Sequence, residues 1–191
     1  MSERQKSILE AAVRVIARTG VRGLRVEELA AEAGVSTALI YYHFGDRAGL
    51  LRQTLEFVSD TAGDYTTEAA AAAENPRAEL ELLLLLEIQD NPVTRANSVA
   101  WGELRASAVF DDGLREQLSD STAVWVGEVA DVIQRAMAAG LIPATVDPVD
   151  AAERLTALVE GLSERWLSGS MAVGRAQELL RAAITMELGD G

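Results

Sequence analysis

The chain has 191 residues, with 30 acidic against 17 basic side chains, no cysteine and a formal net charge of −13. This length supports one large domain or two small ones, and 49% hydrophobic residues with 25% charged is globular composition, not disorder. Without cysteine there are no disulfides or thiolate metal sites. The charged start MSERQKSILEAAVRV and the want of any apolar run near about 20 residues argue against a secretory leader or a membrane span. A cytoplasmic location is expected.

No segment alternates as a strand does, so an all-α chain is predicted. About nine helices are expected, over roughly 4–19, 26–33, 37–43, 47–73, 76–90, 92–108, 113–139, 148–168 and 172–188. Asn75-Pro76, Asn91-Pro92 and Asp147-Pro148 each pair a capping side chain with a proline at the first helical position. Gly20, Gly34, Gly140 and Gly169 stand where helices stop. In the first three helices, Ile8, Ala12, Val15, Ile16, Val26, Leu29, Ala30, Leu39, Ile40 and Phe44 suffice for a small core. Ser36, Thr37, Tyr41, Tyr42 and His43 are left for its exposed side. Further on, the run LLLLL at 82–86, bounded by Glu81 and Glu87, reads as a buried helix segment.

Charge is divided unevenly. Residues 1–52 carry eight Lys/Arg against six acids, whereas the rest carries nine Arg and 24 acids. This asymmetry suggests two roles, a mildly basic unit at 1–52 and a larger acidic one at 53–191. Within the first, RVEELAAEAGVSTALIYYHF has the grammar of a helix-turn-helix. Gly34 supplies a left-handed turn, Val35 plugs the angle between the helices, and Ser36 caps the second one. Such a helix fits a major groove: Ser36, Thr37 and the tyrosine hydroxyls can donate to phosphates or base edges, and Thr37 or Ala38 can touch a thymine methyl. An ordinary solvated surface, half-buried tyrosines and a structural histidine are the alternatives.

Residues 8–55, ILEAAVRVIARTGVRGLRVEELAAEAGVSTALIYYHFGDRAGLLRQTL, resemble the TetR family of bacterial transcriptional regulators in order and spacing, above all in YYHF followed by an acid–base pair and GLL. The resemblance implies that Thr37, Ala38 and Tyr41 face bases. It likewise implies that Ser36, Tyr42 and His43 bind the phosphate backbone, and that Arg47 holds a phosphate at the start of the fourth helix. Arg47 stands where the family usually has Lys. Arg25 stands where it usually has a Ser or Thr cap, which removes the cap and puts a cation within reach of a phosphate. No metal and no cofactor are implied.

Residues 113–189 resemble the C-terminal domain of the family's betaine-regulator-like branch. A pocket is expected from Leu83, Leu86, Trp101, Leu104, Leu118, Trp125 and Val129, with Glu103, Glu128 or Glu160 as polar anchors. Stripes of Leu155, Leu158, Val159, Leu162 and Trp166, then Ala176, Leu179, Leu180, Ala183 and Ile184, read as core or, by the resemblance, as a four-helix dimer interface. The expectation is a homodimeric repressor on a near-palindromic double-stranded operator, released by a small-molecule effector. An enzyme is disfavoured: Asp111-Asp112, Glu79/Glu81 and Asp147/Asp150 have no nearby His, Cys or glycine-rich phosphate loop. An interaction module that has lost DNA binding is the third reading.

Overall fold

The computed structural model describes residues 1–189, with the side chains of 62–66 outside that description. The described residues form nine helical elements: α1 (Glu3–Gly23), α2 (Val26–Ala33), α3 (Thr37–Phe44), α4 (Arg47–Ala72), α5 (Pro76–Leu86), α6 (Pro92–Ala108), α7 (Asp112–Ala138), α8 (Pro148–Leu167) and α9 (Val173–Leu188). The all-α architecture is as the sequence predicts. The caps form where expected: the Asn75 side chain accepts from Ala78 N–H at 2.9 Å, and Asn91 Oδ1 accepts from Thr94 N–H at 2.9 Å. Asp147 Oδ1 takes the N–H groups of Val149 and Asp150, both at 3.0 Å. α5 ends at Leu86, short of the predicted 90, because the residue before Pro92 resists the α conformation and the chain must turn ahead of it.

The chain packs as two compact units, residues 1–60 with 95–121, and residues 61–94 with 122–191. The first therefore extends past the 52/53 boundary expected from charge. It recruits α6 and the start of α7 because Ala100, Leu104, Ala108 and Leu114 share a core with Ile8, Val15, Ile16, Leu29, Ile40, Phe44, Leu50 and Leu55. In the second unit, Leu80, Leu83, Leu84 and Ile88 pack with Val129, Ile133, Leu155, Val159, Leu162, Leu180 and Ile184. Of the leucine run, Leu83 and Leu84 are buried and Leu82 is exposed, a helical face and not a uniform stripe.

One ion pair ties the second core together. Glu79 is 5% exposed, and Arg135 grips both of its oxygens, at 2.8 and 2.7 Å. Removing the cation would strand a buried carboxylate, which costs more than losing an exposed pair. Arg135→Leu is expected to lower unfolding stability by about 3 kcal/mol in urea titrations, and Arg175→Leu, which breaks an exposed pair with Glu178, by under about 1 kcal/mol.

Candidate nucleic-acid interface

The turn between α2 and α3 is built as its sequence suggests. Gly34 adopts φ 64°, ψ 37°, a left-handed conformation that costs a side-chain-bearing residue about 1–2 kcal/mol. Val35 N–H then reaches back to Ala30 C=O at 2.9 Å, closing the helix end, while the Val35 side chain packs on the core. Ser36 Oγ accepts from Leu39 N–H at 3.2 Å and so starts α3. The capping bond uses an acceptor lone pair, leaving the hydroxyl proton free to donate outward.

α3 is anchored by two residues, Ile40 and Phe44. The rest of its surface faces out: Tyr42 is 82% and Tyr41 48% exposed, Ser36 and Ala38 are exposed, and Thr37 and His43 are half-buried. The His43 ring meets Tyr42 edge-on at 5.2 Å and Phe44 at 6.1 Å, so Tyr42 stands on a ring that is itself braced by the core. Arg25 sits at the N-cap of α2 with no side-chain capping bond, exposed as the missing Ser or Thr implies. The acids Glu27 and Glu28 in the first turn offset that loss through the helix dipole. Among the first unit's arginines, Arg14 pairs with Glu32 at 2.9 Å and Arg18 with Glu28 at 2.8 Å.

Arg47 and Glu103 meet at a place the sequence did not suggest. α1 breaks at Gly20, with φ 71° and ψ 167°. In the next residue, Val21 N–H donates to Glu103 Oε2 at 2.9 Å and Val21 C=O accepts from Arg47 Nη2. A Cβ on Gly20 would lie 2.9 Å from Glu103 Oε2, so a glycine is needed there for both conformation and space. Glu103, expected as the polar anchor of a pocket, is thus the acceptor that fixes the end of α1. Arg47 remains exposed, and its guanidinium keeps further donors for a phosphate beyond the one given to Val21. The glycine of GLL is explained as well. A Cβ on Gly49 would sit 2.2 Å from Phe44 O, so α4 can start this close to the end of α3 only with glycine.

The expected pocket residues divide between the units. Leu104 is buried and Trp101, Glu103 and Leu118 half-buried in the first, where the Arg105 guanidinium lies 5.7 Å from the Trp101 ring centroid. In the second, Leu83 and Val129 are buried and Leu86, Trp125, Glu128 and Glu160 half-buried. The sequence reading missed Glu87, taken for the polar end of a leucine run. Its Oε1 is shut off from solvent without a hydrogen-bond partner, as is Trp125 Nε1. Burial, helped by the nearby Glu128 charge, pushes the Glu87 carboxyl up to about 8.

The stripes expected to meet a second copy need correction. Leu155, Val159, Leu162, Trp166, Ala176, Leu180 and Ile184 are each at most 6% exposed within one chain. The large side chains of α8 and α9 close the hairpin on its own core, so no partner can reach them. Leu158, Leu179 and Ala183 are half-buried at the margin, and the outward face carries Ala157, Gly161, Ala182 and Met186.

A short capped helix on a left-handed turn, offering hydroxyls and rings outward from a three-helix core, defines a helix-turn-helix DNA-binding regulator. Comparison with known proteins makes the assignment specific. The family described as bacterial regulatory proteins, tetR family, matches residues 8–54, and that described as BetI-type transcriptional repressor, C-terminal, matches residues 76–189. The chain belongs to the TetR family of transcriptional regulators, with a C-terminal domain of the BetI type. Such regulators are not enzymes. The HTH-type transcriptional regulator BetI of Burkholderia mallei is 28% identical over 174 residues, covering 88% of this chain and 83% of that one. The crystal structure of a TetR-family regulator from Rhodococcus sp. superposes with a TM-score of 0.91 at 47% identity, over 98% of this chain and 100% of that one. A transcriptional regulator from Saccharomonospora viridis, solved in complex with choline, gives 0.87 at 26% identity over 100% of both chains.

The raised Glu87 carboxyl carries a stability prediction with a definite sign. Below an ordinary pKa of about 4.3 the group is protonated both folded and unfolded, and it contributes no difference. As pH rises, the unfolded chain ionises while the folded carboxyl stays neutral, so stability falls until pH passes about 8. Glu87→Gln is expected to melt at or above the wild type, with a gap that widens from pH 5 to 8. Differential scanning fluorimetry across that range checks it, and a pH-independent gap would count against the assignment.

Proposed function

We propose that this regulator is a homodimeric repressor, acting in the cytoplasm, that binds a near-palindromic operator through paired α3 helices and is released by a small molecule. The observation that carries the reading is the outward set on α3, where Thr37, Ala38 and Tyr41 face bases and Ser36, Tyr42 and His43 face phosphates. Arg25 and Arg47 supply flanking cations. Two such helices must reach successive major grooves about 34 Å apart, so an operator with two-fold symmetry follows from a two-fold dimer.

The dimer face in this reading is the outward side of the α8–α9 hairpin. Leu179, Ala182, Ala183 and Met186 recur there at helical spacing beside Ala157, Leu158 and Gly161 on α8. Small side chains let two hairpins approach closely, and Met186 is 80% exposed in one chain. Effector release uses two elements that run through both units, α4 and α7. The effector must bind the released geometry better than the DNA-bound one. The Saccharomonospora relative crystallised with choline supports a small organic molecule in that role.

Fluorescence anisotropy with duplex from the region upstream of its own gene is expected to show affinity about a thousandfold or more above random duplex at moderate salt. Equal affinity for both would overturn the reading. Tyr42→Phe and Arg47→Ala are expected to weaken all sequences alike, and the salt slope should fall by about one for each phosphate that is no longer neutralised. In sedimentation experiments Ala183→Arg is expected to yield a folded monomer, with specific operator binding abolished.

A further inference from the structure

The second unit holds two polar groups that folding leaves unsatisfied in one neighbourhood. Glu87 Oε1 and Trp125 Nε1 are both closed off from solvent and both lack a hydrogen-bond partner. An acceptor and a donor could have answered each other here, yet they do not. A buried polar group without a partner costs about 1–3 kcal/mol, and native structures rarely keep one without a use. Trp125 and Glu128 are one turn apart on α7 and share a face. The Glu128 charge acts on Glu87, which brings the three side chains together.

The field at this place is negative from several sources. Glu87 is the C-cap of α5, where the unpaired carbonyls form the negative pole of the helix. Glu128 adds a second carboxyl from α7, and α9 answers with the neutral Gln177, whose amide donates to Ile88 C=O at 2.7 Å. The surroundings are otherwise apolar, with Leu83, Leu84 and Val129 in the same core. A hard divalent ion needs six or more oxygens, and this setting does not supply them. An organic cation matches better, since its carbon shell suits the apolar wall and the indole face while its charge suits the carboxyls.

We propose that Glu87, Trp125 and Glu128 form a binding site for a small organic ammonium ion that also carries a hydrogen-bond acceptor. This rests on the ligand-responsive reading above and gives the effector its chemistry. The ammonium lies against the two carboxyls, and a hydroxyl oxygen on the same molecule accepts from the Trp125 indole N–H. Empty, the site keeps its charge low by holding a proton on Glu87. On capture that O–H bond breaks heterolytically, the proton leaves to solvent, and the carboxylate pairs with the ammonium. Binding therefore exchanges one proton for one cation.

Tryptophan fluorescence and calorimetric titrations of the full chain test this with three probes: choline, tetramethylammonium, and 3,3-dimethylbutan-1-ol, the uncharged carbon counterpart of choline. Choline is expected to bind at least tenfold more tightly than the neutral alcohol and several-fold more tightly than tetramethylammonium. Its affinity should climb nearly tenfold per pH unit between pH 6 and 7.5. Glu87→Gln, which keeps shape and fold, should lose at least tenfold in affinity together with the pH slope. Trp125→Phe should lose the preference for choline over tetramethylammonium. Equal binding of the neutral alcohol, or wild-type affinity and slope in Glu87→Gln, overturns the proposal. Operator binding, measured on the same preparations without ligand, separates the two readings. If DNA binding fails while choline binding holds, the repressor reading falls alone; if DNA binds and choline does not, the ammonium site falls alone.

Discussion

The N-terminal unit depends on how the peptide after Gly20 is held. α1 breaks at that glycine, and a break leaves backbone N–H and C=O groups that need partners when water is kept away. Val21 is buried, and both its groups are answered from elsewhere: the N–H by Glu103 on α6, the C=O by Arg47 at the first residue of α4. Three helices far apart in the chain are thereby tied at one peptide. Because the recognition helix packs on α1 and α2 through Ile40 and Phe44, its aim depends on the same fastening. Any shift of α6 acts on the end of α1 directly.

The acidic excess is less hostile to nucleic acid than the net charge of −13 suggests. Some acids of the first unit face its own cations, Glu32 on Arg14 and Glu28 on Arg18. These pairs are exposed enough to be worth about 0–1 kcal/mol each, so they order α1 against α2 without committing either arginine firmly. What α3 offers outward is mostly hydroxyls, aromatic edges and a capped N-terminus, groups that position DNA through hydrogen bonds as much as charge. The acids of the second unit keep the remaining surface from attracting DNA indiscriminately.

The second unit handles polarity in two ways. Glu79 is buried but fully answered by Arg135, and it stabilises the packing of α5 on α7. Glu87 lies eight residues on, on the same stretch of chain, and its Oε1 is unanswered. The first resembles a structural pair; the second resembles a group waiting for one. The α8–α9 hairpin beside them is sealed by its own large side chains, so small residues are left to face outward.

Most of the secondary structure was legible in the sequence, because its signals are local. Asn-Pro and Asp-Pro pairs, glycine stops and a serine cap act over three or four residues, and the helices begin and end within a few positions of where they point. The outward polar set on α3 was legible for the same reason: Ile40 and Phe44 consume its apolar face, and Ser36, Tyr41 and Tyr42 have nowhere else to turn. Contacts across long stretches of chain were not legible. Periodicity showed the stripe on α8 and α9 but not which body buries it, since one chain folding on itself and two chains pairing draw the same pattern. Gly20 was readable as a stop, but its second reason, the Glu103 carboxylate 82 residues beyond Val21, has no local signature. Glu87 looked like any acid closing a hydrophobic run. Only the tertiary packing, by taking water and partners away from it, turned that acid into a candidate site.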